Sequence, residues 1–214
     1  GDVYKRQVSA IWSMPPYEAK QMPLKFFLKF FQNHGLFNLK NRPQWYTIKN
    51  RSRTYVNKIL KTISGEYYKN YKINKLSRYP NGVKIYYGGK NEFFDYDKVI
   101  IATHADEALS LISEPTKDEK DILSNFKYKK NYAIIHTDET VMPNNKKAWS
   151  SWNSSVNKDN NSQTSITYWL NLLQNLNTKK NIFLSLNPFY KIEKNKIIKE
   201  INFTHPYYDK AALD

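Results

Sequence analysis

The feature that most constrains the fold is an uninterrupted apolar run, Val99-Ile100-Ile101, which stops on the small residues Ala102-Thr103. Three consecutive β-branched residues without polar alternation predict a strand that is buried on both faces, as in a parallel sheet. The acidic pair Asp106-Glu107 follows, where it suits the first turn of a helix. Because open α/β sheets bind ligands beyond the carboxyl ends of such strands, we predict a ligand near residues 102–104. A strand–loop–helix without a ligand explains the pattern equally well.

Helix and strand patterns alternate on both sides of this run. Apolar residues at helical spacing predict a helix over residues 17–34, which Gly35 would terminate. Alternating segments around the Asn81-Gly82 turn signal predict a β-meander over residues 71–96. The later predicted strands cover residues 132–137, 148–153, 165–169, 181–186 and 197–203, the last of them stopped by His205-Pro206. This order predicts an α/β (α+β mixed) chain with a large mixed sheet.

The chain is strongly basic, with a formal net charge of +15. Only five of its 34 basic residues are arginine, which are Arg6, Arg42, Arg51, Arg53 and Arg78. Arginine is the side chain best suited to planar recognition of bases and phosphates. The lysine excess therefore indicates an AT-rich coding bias, and we expect no nucleic-acid partner. A basic binding module for nucleic acid or an anionic membrane remains the alternative.

Cysteine is absent, which excludes disulfides, zinc–thiolate sites and iron–sulfur clusters. Its absence is typical of a reducing compartment, and we predict a cytoplasmic location. No apolar run reaches the roughly 18 residues of a membrane span. Residues 1–7, Gly1-Asp2-Val3-Tyr4-Lys5-Arg6-Gln7, match a translated sequencing adapter. We interpret them as a scar and expect the chain to be an internal fragment.

Motifs that carry chemistry are few. The four histidines lack metal-ligand spacing, and no GxSxG, GxGxxG or GxxxxGK[ST] motif occurs. We therefore predict no metal site, although a Ser–His–Asp triad stays open, and His136-Thr137-Asp138 reads as a local turn. Arg51 and Arg53 precede a predicted helix, where a pyrophosphate or solvent could balance their charge. Four aromatic residues could wall a substrate pocket or pack a core: Trp149, Trp152, Tyr168 and Trp169.

Together these patterns resemble a bacterial subfamily of predicted NAD/FAD-binding, amine-oxidase-like oxidoreductases, which is also similar to the N-terminal region of plant cyclopropane fatty-acid synthases. The resemblance rests on the order of several short motifs, including Asn33-His34-Gly35-Leu36, Arg53-Thr54-Tyr55-Val56, Ala102-Thr103-His104-Ala105-Asp106, Ala148-Trp149-Ser150-Ser151-Trp152-Asn153, Tyr168-Trp169-Leu170-Asn171 and Leu186-Asn187-Pro188. It departs from the family where Lys49-Asn50-Arg51-Ser52 replaces a usual Gly-Gly pair.

The resemblance implies an incomplete two-domain flavoprotein fold. Residues 8–64 and 107–196 would belong to a substrate domain, residues 65–106 to the FAD-binding domain, and residues 197–214 would return towards that domain. The glycine-rich loop that grips FAD would lie in sequence outside this chain. The implied cofactor contacts are Ile73, Ala102, Thr103, His104, Arg51 and Ser52.

The resemblance also implies an activity. The whole protein would oxidise a substrate C–H bond by hydride transfer to flavin, with a small-molecule substrate for which a lipid-related compound is one option. No catalytic acid or base is defined, and His104 is the first candidate to test. A flavin-fold scaffold without catalysis is a further alternative.

We expect the 214-residue chain by itself to bind no FAD, because its sequence contains no glycine fingerprint for the pyrophosphate. The measurement is the visible absorption of the chain after incubation with FAD and gel filtration. Flavin retained at one molecule per chain would contradict the expectation.

Overall fold

The computed structural model describes residues 11–12, 22–89, 92–157, 163–207 and 209–212. The chain divides into two units, Gly1–Lys58 with Lys129–His205, and Ile59–Tyr128 with Pro206–Asp214. The adapter-like residues 1–7 and the predicted helix start at residue 17 lie outside the described residues. Within the described ranges, no helix is long and apolar enough to cross a membrane.

The described helices and strands have the following bounds. The helices are α1 (Leu24–Asn33), α2 (Ser52–Thr62), α3 (Ala105–Leu111), α4 (Lys117–Leu123) and α5 (Leu170–Leu173). The strands are β1 (Ile73–Tyr79), β2 (Gly82–Tyr87), β3 (Phe93–Tyr96), β4 (Lys127–His136), β5 (Trp152–Val156), β6 (Thr164–Trp169), β7 (Phe183–Leu186) and β8 (Ile197–Tyr207).

Helix α1 of the first unit is bounded by its sequence. It begins after Pro23, whose carbonyl accepts the first hydrogen bonds, and it ends in a Schellman motif. In that motif the Leu36 N–H donates to the Phe31 carbonyl at 2.9 Å, and Gly35 takes a φ of +63°. Phe31 is buried, and the Phe30 ring lies 4.6 Å from that of Trp12.

The sheet of the first unit has the strand order β5-β6-β7-β4-β8. The pairs β5–β6, β6–β7 and β4–β7 are antiparallel. Since successive side chains point to opposite faces, Ile166 and Leu186 share one face, and Thr167 and Phe183 share the other. Apolar residues that are buried in and around this sheet include Ala133, Ile134, Met142, Ile166, Phe183, Leu186 and Ile192.

The second unit contains the predicted meander, β1-β2-β3, with both pairs antiparallel. Its apolar core is small, with Leu76 and Ala108 buried among the described residues. The end of α3 is attached to β1, because the backbone N–H and the hydroxyl of Ser113 both donate to the Leu76 carbonyl. Helix α4 starts with a capping box formed by Thr116 and Glu119.

The prediction of a buried parallel strand at residues 99–101 is wrong. These residues lie in no strand, and Ile100 is 94% exposed. A strand that is buried on both faces needs hydrogen-bonded neighbours, and no described strand pairs with this run. The apolar pattern indicated a segment suited to burial, but it carried no information about what covers the segment.

Two strand boundaries also differ from the predictions. The strand predicted over residues 148–153 is β5, which begins only at Trp152, because residues 146–148 form a 3-10 turn. Strand β8 continues through His205-Pro206, which were expected to stop it. Proline is tolerated in a strand where its nitrogen donates no ladder bond. The broader prediction of a mixed α/β chain is confirmed. The prediction of one large mixed sheet is wrong, because the described strands form two separate sheets with antiparallel pairs.

We expect Gly35→Ala to lower the free energy of unfolding by about 1–2 kcal/mol, because a left-handed residue with a Cβ is strained. The added Cβ would also lie 3.0 Å from the Pro43 Cδ. Urea unfolding followed by circular dichroism measures the effect. Gly65→Ala is the matched control, because no atom lies within 4 Å of the Cβ it would add. Equal stabilities of the two variants would contradict the role of Gly35.

Candidate binding site

A cavity of 860 Å³ opens within the first unit. The end of α1 and the loop that follows it form one side, and α5 and the start of β5 form the other. Its lining residues are Ile11, Phe30, His34, Leu36, Trp45, Tyr46, Thr47, Ser151, Trp152, Leu172, Leu173, Gln174 and Asn175. The volume lies in the range of small-molecule sites, about 300–1,000 Å³.

The lining is mostly apolar and aromatic. The two indoles are accessible, with Trp45 69% and Trp152 48% exposed. A second cavity of 380 Å³ shares Trp45, Trp152 and His34 with the first, and it adds Arg42. No acidic side chain lines either cavity. The pair of cavities therefore suits an apolar molecule, whose polar end would meet positive rather than negative groups.

His34 is the histidine of these cavities. Its Nδ1 lies 2.8 Å from the Phe30 carbonyl, which can only accept, so Nδ1 donates. The ring stacks on Phe30 at 3.9 Å between centroids. In the neutral imidazole the proton therefore sits on Nδ1, and Nε2 is left as an acceptor. His34 can take a proton from a bound ligand or donate a hydrogen bond to it once charged.

Arg42 supplies a permanent charge beside His34. Its Nε donates to the Asn38 carbonyl at 3.0 Å, which fixes the guanidinium along the loop that follows α1. Pro43 of that loop lies near the helix end, since a Cβ added to Gly35 would come within 3.0 Å of the Pro43 Cδ. A guanidinium offers paired donors to a carboxylate. An anionic end group would therefore be favoured at this end of the cavities.

The four aromatic residues predicted to wall one pocket lie on two faces of the sheet. Trp152 and Tyr168 are directly opposite each other across β5 and β6, with ring centroids 5.5 Å apart. Trp169 points to the other face, where its ring lies 5.3 Å from Trp149, and Trp149 lies 5.7 Å from Phe183. Of the four, Trp152 lines the described cavities, and Trp149 packs between Trp169 and Phe183.

A buried polar chain runs across the same face of the sheet as Phe183. His136 Nε2 lies 2.9 Å from Ser185 Oγ, and Ser185 Oγ lies 2.8 Å from Thr167 Oγ1. Thr167 Oγ1 lies 2.7 Å from the Tyr190 hydroxyl, which also lies 3.0 Å from Ser165 Oγ. All of these residues except Tyr190 are fully buried. We call His136, Ser185, Thr167, Tyr190 and Ser165 the buried polar chain.

The groups at the two ends of the buried polar chain determine which of its members donate and which accept. The Asp138 backbone N–H donates to His136 Nδ1 at 3.1 Å, so the ring proton is on Nε2 and points to Ser185. At the other end Ser165 donates to the Leu186 carbonyl at 3.0 Å. Each hydroxyl between these ends can accept one hydrogen bond and donate one. Every side chain of the buried polar chain therefore has its hydrogen-bond partners.

This arrangement excludes a Ser–His–Asp triad of Ser185, His136 and Asp138. A general base needs an unprotonated nitrogen facing the serine, whereas His136 donates its proton to Ser185. The Asp138 carboxylate accepts from Thr140, the Glu193 N–H and Lys196 instead of contacting the ring. The His136-Thr137-Asp138 segment is therefore the local turn that the sequence suggested.

Both ionisable groups of this turn have displaced pKa values. Burial lowers the pKa of His136, and the negative charge of Asp138 only partly opposes that effect. Burial disfavours the charged form of Asp138, but hydrogen bonds from Thr140, Glu193 and Lys196 bring its pKa down to about 2. At neutral pH a neutral imidazole thus lies beside a paired carboxylate.

The cofactor residues implied by the resemblance are divided between the units. Arg51 and Ser52 belong to the first unit, and the other four, Ile73, Ala102, Thr103 and His104, belong to the second. Ala102 and Thr103 are exposed. The His104 ring stacks on Tyr128 at 4.4 Å and precedes α3. His104 lines none of the cavities described above.

These residues fit a flavin only in part. Ala102 and Thr103 offer a surface without bulk, but an FAD pyrophosphate needs a run of backbone N–H donors that six glycines without a fingerprint motif do not supply. Asn50 and Arg51 both have left-handed backbones, with φ of 63° and 70°, and they lie in the segment 49–52 that replaces the Gly-Gly pair of the resembled subfamily. That backbone conformation is the one that glycine adopts most readily. The sequence of this chain therefore lacks the loop that would hold the phosphates of a flavin cofactor.

The residues that line the cavities were mostly missed from the sequence. His34 belongs to a motif of the resemblance and Arg42 was considered only for its charge, but neither of them, nor Trp45, was predicted to bind a ligand. Their signal was local, since a histidine and a glycine close an otherwise apolar helix and a proline and a tryptophan follow within a dozen residues. Among the described residues no group of acidic and histidine side chains could hold a metal ion.

Comparison with known proteins gives little beyond this geometry. No model of a known protein family matches the chain, and no curated protein matches it. Among solved structures it is similar to the CLA-producing fatty acid isomerase from P. acnes, with 13% sequence identity and a TM-score of 0.46. The match covers 71% of this chain and 39% of that chain. A likeness of this degree supports no conclusion about activity.

We expect the chain to lose stability as the pH falls from about 7 to 5. The unfolded chain binds the His136 proton at the ordinary histidine pKa of 6.5, whereas the folded chain resists it, so the unfolded state gains protons first. Asp138 titrates below this window, because its folded pKa of about 2 and its ordinary value of 3.8 are both lower.

Urea unfolding at several pH values measures this dependence. His136→Asn keeps an acceptor near the Asp138 N–H but does not titrate, and it leaves Ser185 without its donor. We expect it to be less stable at pH 7 by about 1–3 kcal/mol and to show a smaller loss on acidification. An equal loss in both proteins would show that His136 is not the titrating group.

Proposed function

We propose that the chain forms the substrate-binding part of an FAD-dependent oxidoreductase, and that its cavity holds an apolar small molecule with an anionic or neutral polar end. The observation that carries the proposal is the 860 Å³ cavity with its indole and leucine lining. Burying an alkyl chain or ring there would be favoured by the hydrophobic effect. The flavin part of the proposal rests on the resemblance of the sequence motifs.

The charges around the cavities favour a carboxylate over an amine as the polar end of the substrate. Arg42 and His34 are the basic side chains of the linings, and no aspartate or glutamate accompanies them. An ammonium group would find only the faces of Trp45 and Trp152, a weaker attraction at an exposed site. The proposed substrate is therefore not an amine, although the resembled family is named after amine oxidases.

Each part of the chain has a role in this proposal. Trp45 and Trp152 would bind the apolar body of the substrate and exclude water from it. Arg42 would orient the polar end, and His34 Nε2 would hold or accept a proton. In the second unit the exposed Ile100, with its half-buried neighbours Val99 and Ile101, would be covered by the FAD-binding sheet that the resemblance implies, which would bring Ala102 and Thr103 to the cofactor. The flavin would supply the redox chemistry.

Calorimetric titration of the 214-residue chain with decanoate, decanol and decylamine tests the cavity. We expect decanoate to bind up to about fivefold more tightly than decylamine, as befits an exposed charge interaction of about 1 kcal/mol. Arg42→Gln should remove that preference. Trp152→Ala should weaken all three ligands by about tenfold through lost apolar contact.

Leu39→Ala is the matched control, because Leu39 is 91% exposed on the loop between α1 and α2 and lines neither cavity. It should bind all three ligands as the unchanged chain does. Unaltered binding in Trp152→Ala, or binding of none of the ligands, would refute the cavity as the substrate site. A preference for decylamine would refute the carboxylate end.

The visible spectrum of the complete gene product tests the redox part separately. Flavin absorption bands that bleach anaerobically with a bound ligand of the cavity would support an oxidoreductase. Flavin that no ligand reduces would indicate a scaffold, and a preparation without flavin would refute the cofactor. In the complete protein His34→Gln should lower turnover while flavin content stays unchanged, whereas an unchanged turnover would remove His34 from the reaction.

A further inference from the structure

One face of the meander in the second unit carries alternating rings and lysines. The cross-strand register places Lys75, Tyr86 and Phe93 in one row across β1, β2 and β3. Lys84 lies two residues before Tyr86, so it points to the same face, and Tyr79 ends β1 on that face. We call Lys75, Tyr79, Lys84, Tyr86 and Phe93 the aromatic–lysine face.

The lysines of this face lie over its rings. Lys84 Nζ is 4.5 Å from the Phe93 centroid and 5.8 Å from the Tyr79 centroid. Lys75 Nζ is 5.3 Å from the Tyr86 centroid, and the Tyr86 and Phe93 centroids are 5.5 Å apart. Phe93 is 42% and Tyr79 41% exposed, and Tyr86 is partly exposed, beneath lysines whose side chains are intrinsically flexible. A charged ligand could draw those heads away at little cost.

Basic and acidic residues of the second unit are concentrated in different segments. Between residues 61 and 89, which include β1 and β2, six side chains are basic and one is acidic, whereas residues 92–98, which include β3, have three acidic side chains and one basic. The acidic residues of α3, α4 and the segment joining them are Asp106, Glu107, Glu114, Asp118, Glu119 and Asp121. On the face itself, Asp95 accepts a hydrogen bond from the Tyr79 hydroxyl at 2.6 Å, so a tyrosine O–H engages its charge. The face therefore carries two lysines against one carboxylate, which lies directly opposite Lys84 and accepts from Tyr79.

We propose that the aromatic–lysine face binds single-stranded nucleic acid. Unpaired bases stack on accessible aromatic rings of a sheet, and nearby lysines neutralise the phosphates. The rings of Tyr86 and Phe93 provide adjacent stacking positions, and Lys75 and Lys84 reach the backbone from between them. A double helix would not bind in this way, because its bases are already stacked on one another.

This proposal differs from the expectation of no nucleic-acid partner, which rested on the scarcity of arginine. Arginine matters where base edges are read by paired hydrogen bonds. Stacking on a ring needs no such reading, and a lysine is sufficient for a phosphate. Binding at this face should therefore be independent of base sequence.

Fluorescence anisotropy of the 214-residue chain with labelled oligo-dT of about 12 nucleotides tests the proposal. Binding should weaken with salt, and Lys75→Gln with Lys84→Gln should reduce the slope of log affinity against log salt by about 1.4, for two phosphate contacts. Phe93→Leu should weaken binding at least about fivefold, because the leucine fills the site but cannot stack. Phe93→Tyr should retain the affinity.

The matched control is Lys117→Gln with Lys120→Gln, two lysines on α4 away from the face. It should leave both affinity and salt slope unchanged. Equal affinities of Phe93→Leu and the unchanged chain, or heparin binding as tight as oligo-dT, would overturn the proposal, because simple attraction to lysines would then suffice. Binding to phosphatidylserine vesicles without binding to oligo-dT would overturn it in favour of a membrane surface.

Discussion

The first unit depends on the buried polar chain that crosses its sheet. Buried hydroxyls and imidazoles are tolerated only when every donor and acceptor is satisfied, and here the turn after β4 fixes one end while the Leu186 carbonyl fixes the other. The buried polar chain links β4, β6 and β7. The register of those strands is therefore specified by hydrogen bonds as well as by apolar contacts. Asp138 holds the same turn to Lys196 and the segment before β8.

That register decides where the aromatic residues go. With Thr167 and Ser185 on the polar face, Trp169 must share that face with Phe183, and Tyr168 must share the opposite one with Trp152. The neighbours Tyr168 and Trp169 therefore have different surroundings. Trp152 is left at the start of β5, where with α5 and the loop after α1 it encloses an apolar cavity around His34.

The second unit is stabilised by different interactions from the first. Its meander has few buried apolar residues, and rings with lysines cover one face, so much of its stability comes from strand pairing and from the attachment of α3 to β1. The apolar run at residues 99–101, with its exposed Ile100, and the aromatic–lysine face are both surfaces that another molecule or segment could cover. The run would suit another strand because it is apolar, whereas the face would suit a polyanion because it is basic.

The sequence by itself determined the local elements: α1 with its terminal glycine, the Asn81-Gly82 meander, the strands β4, β6 and β7, and the mixed α/β class. These follow from residue-level preferences for turns, caps and periodicity, which act over a few neighbours. Only the tertiary structure decided that Val99-Ile100-Ile101 lies in no described strand, that four aromatic residues are divided between two faces, and that His34, Arg42 and Trp45 meet at one cavity. The reason is physical, since burial, facing and proximity depend on which distant segments pair, and no local pattern encodes that choice.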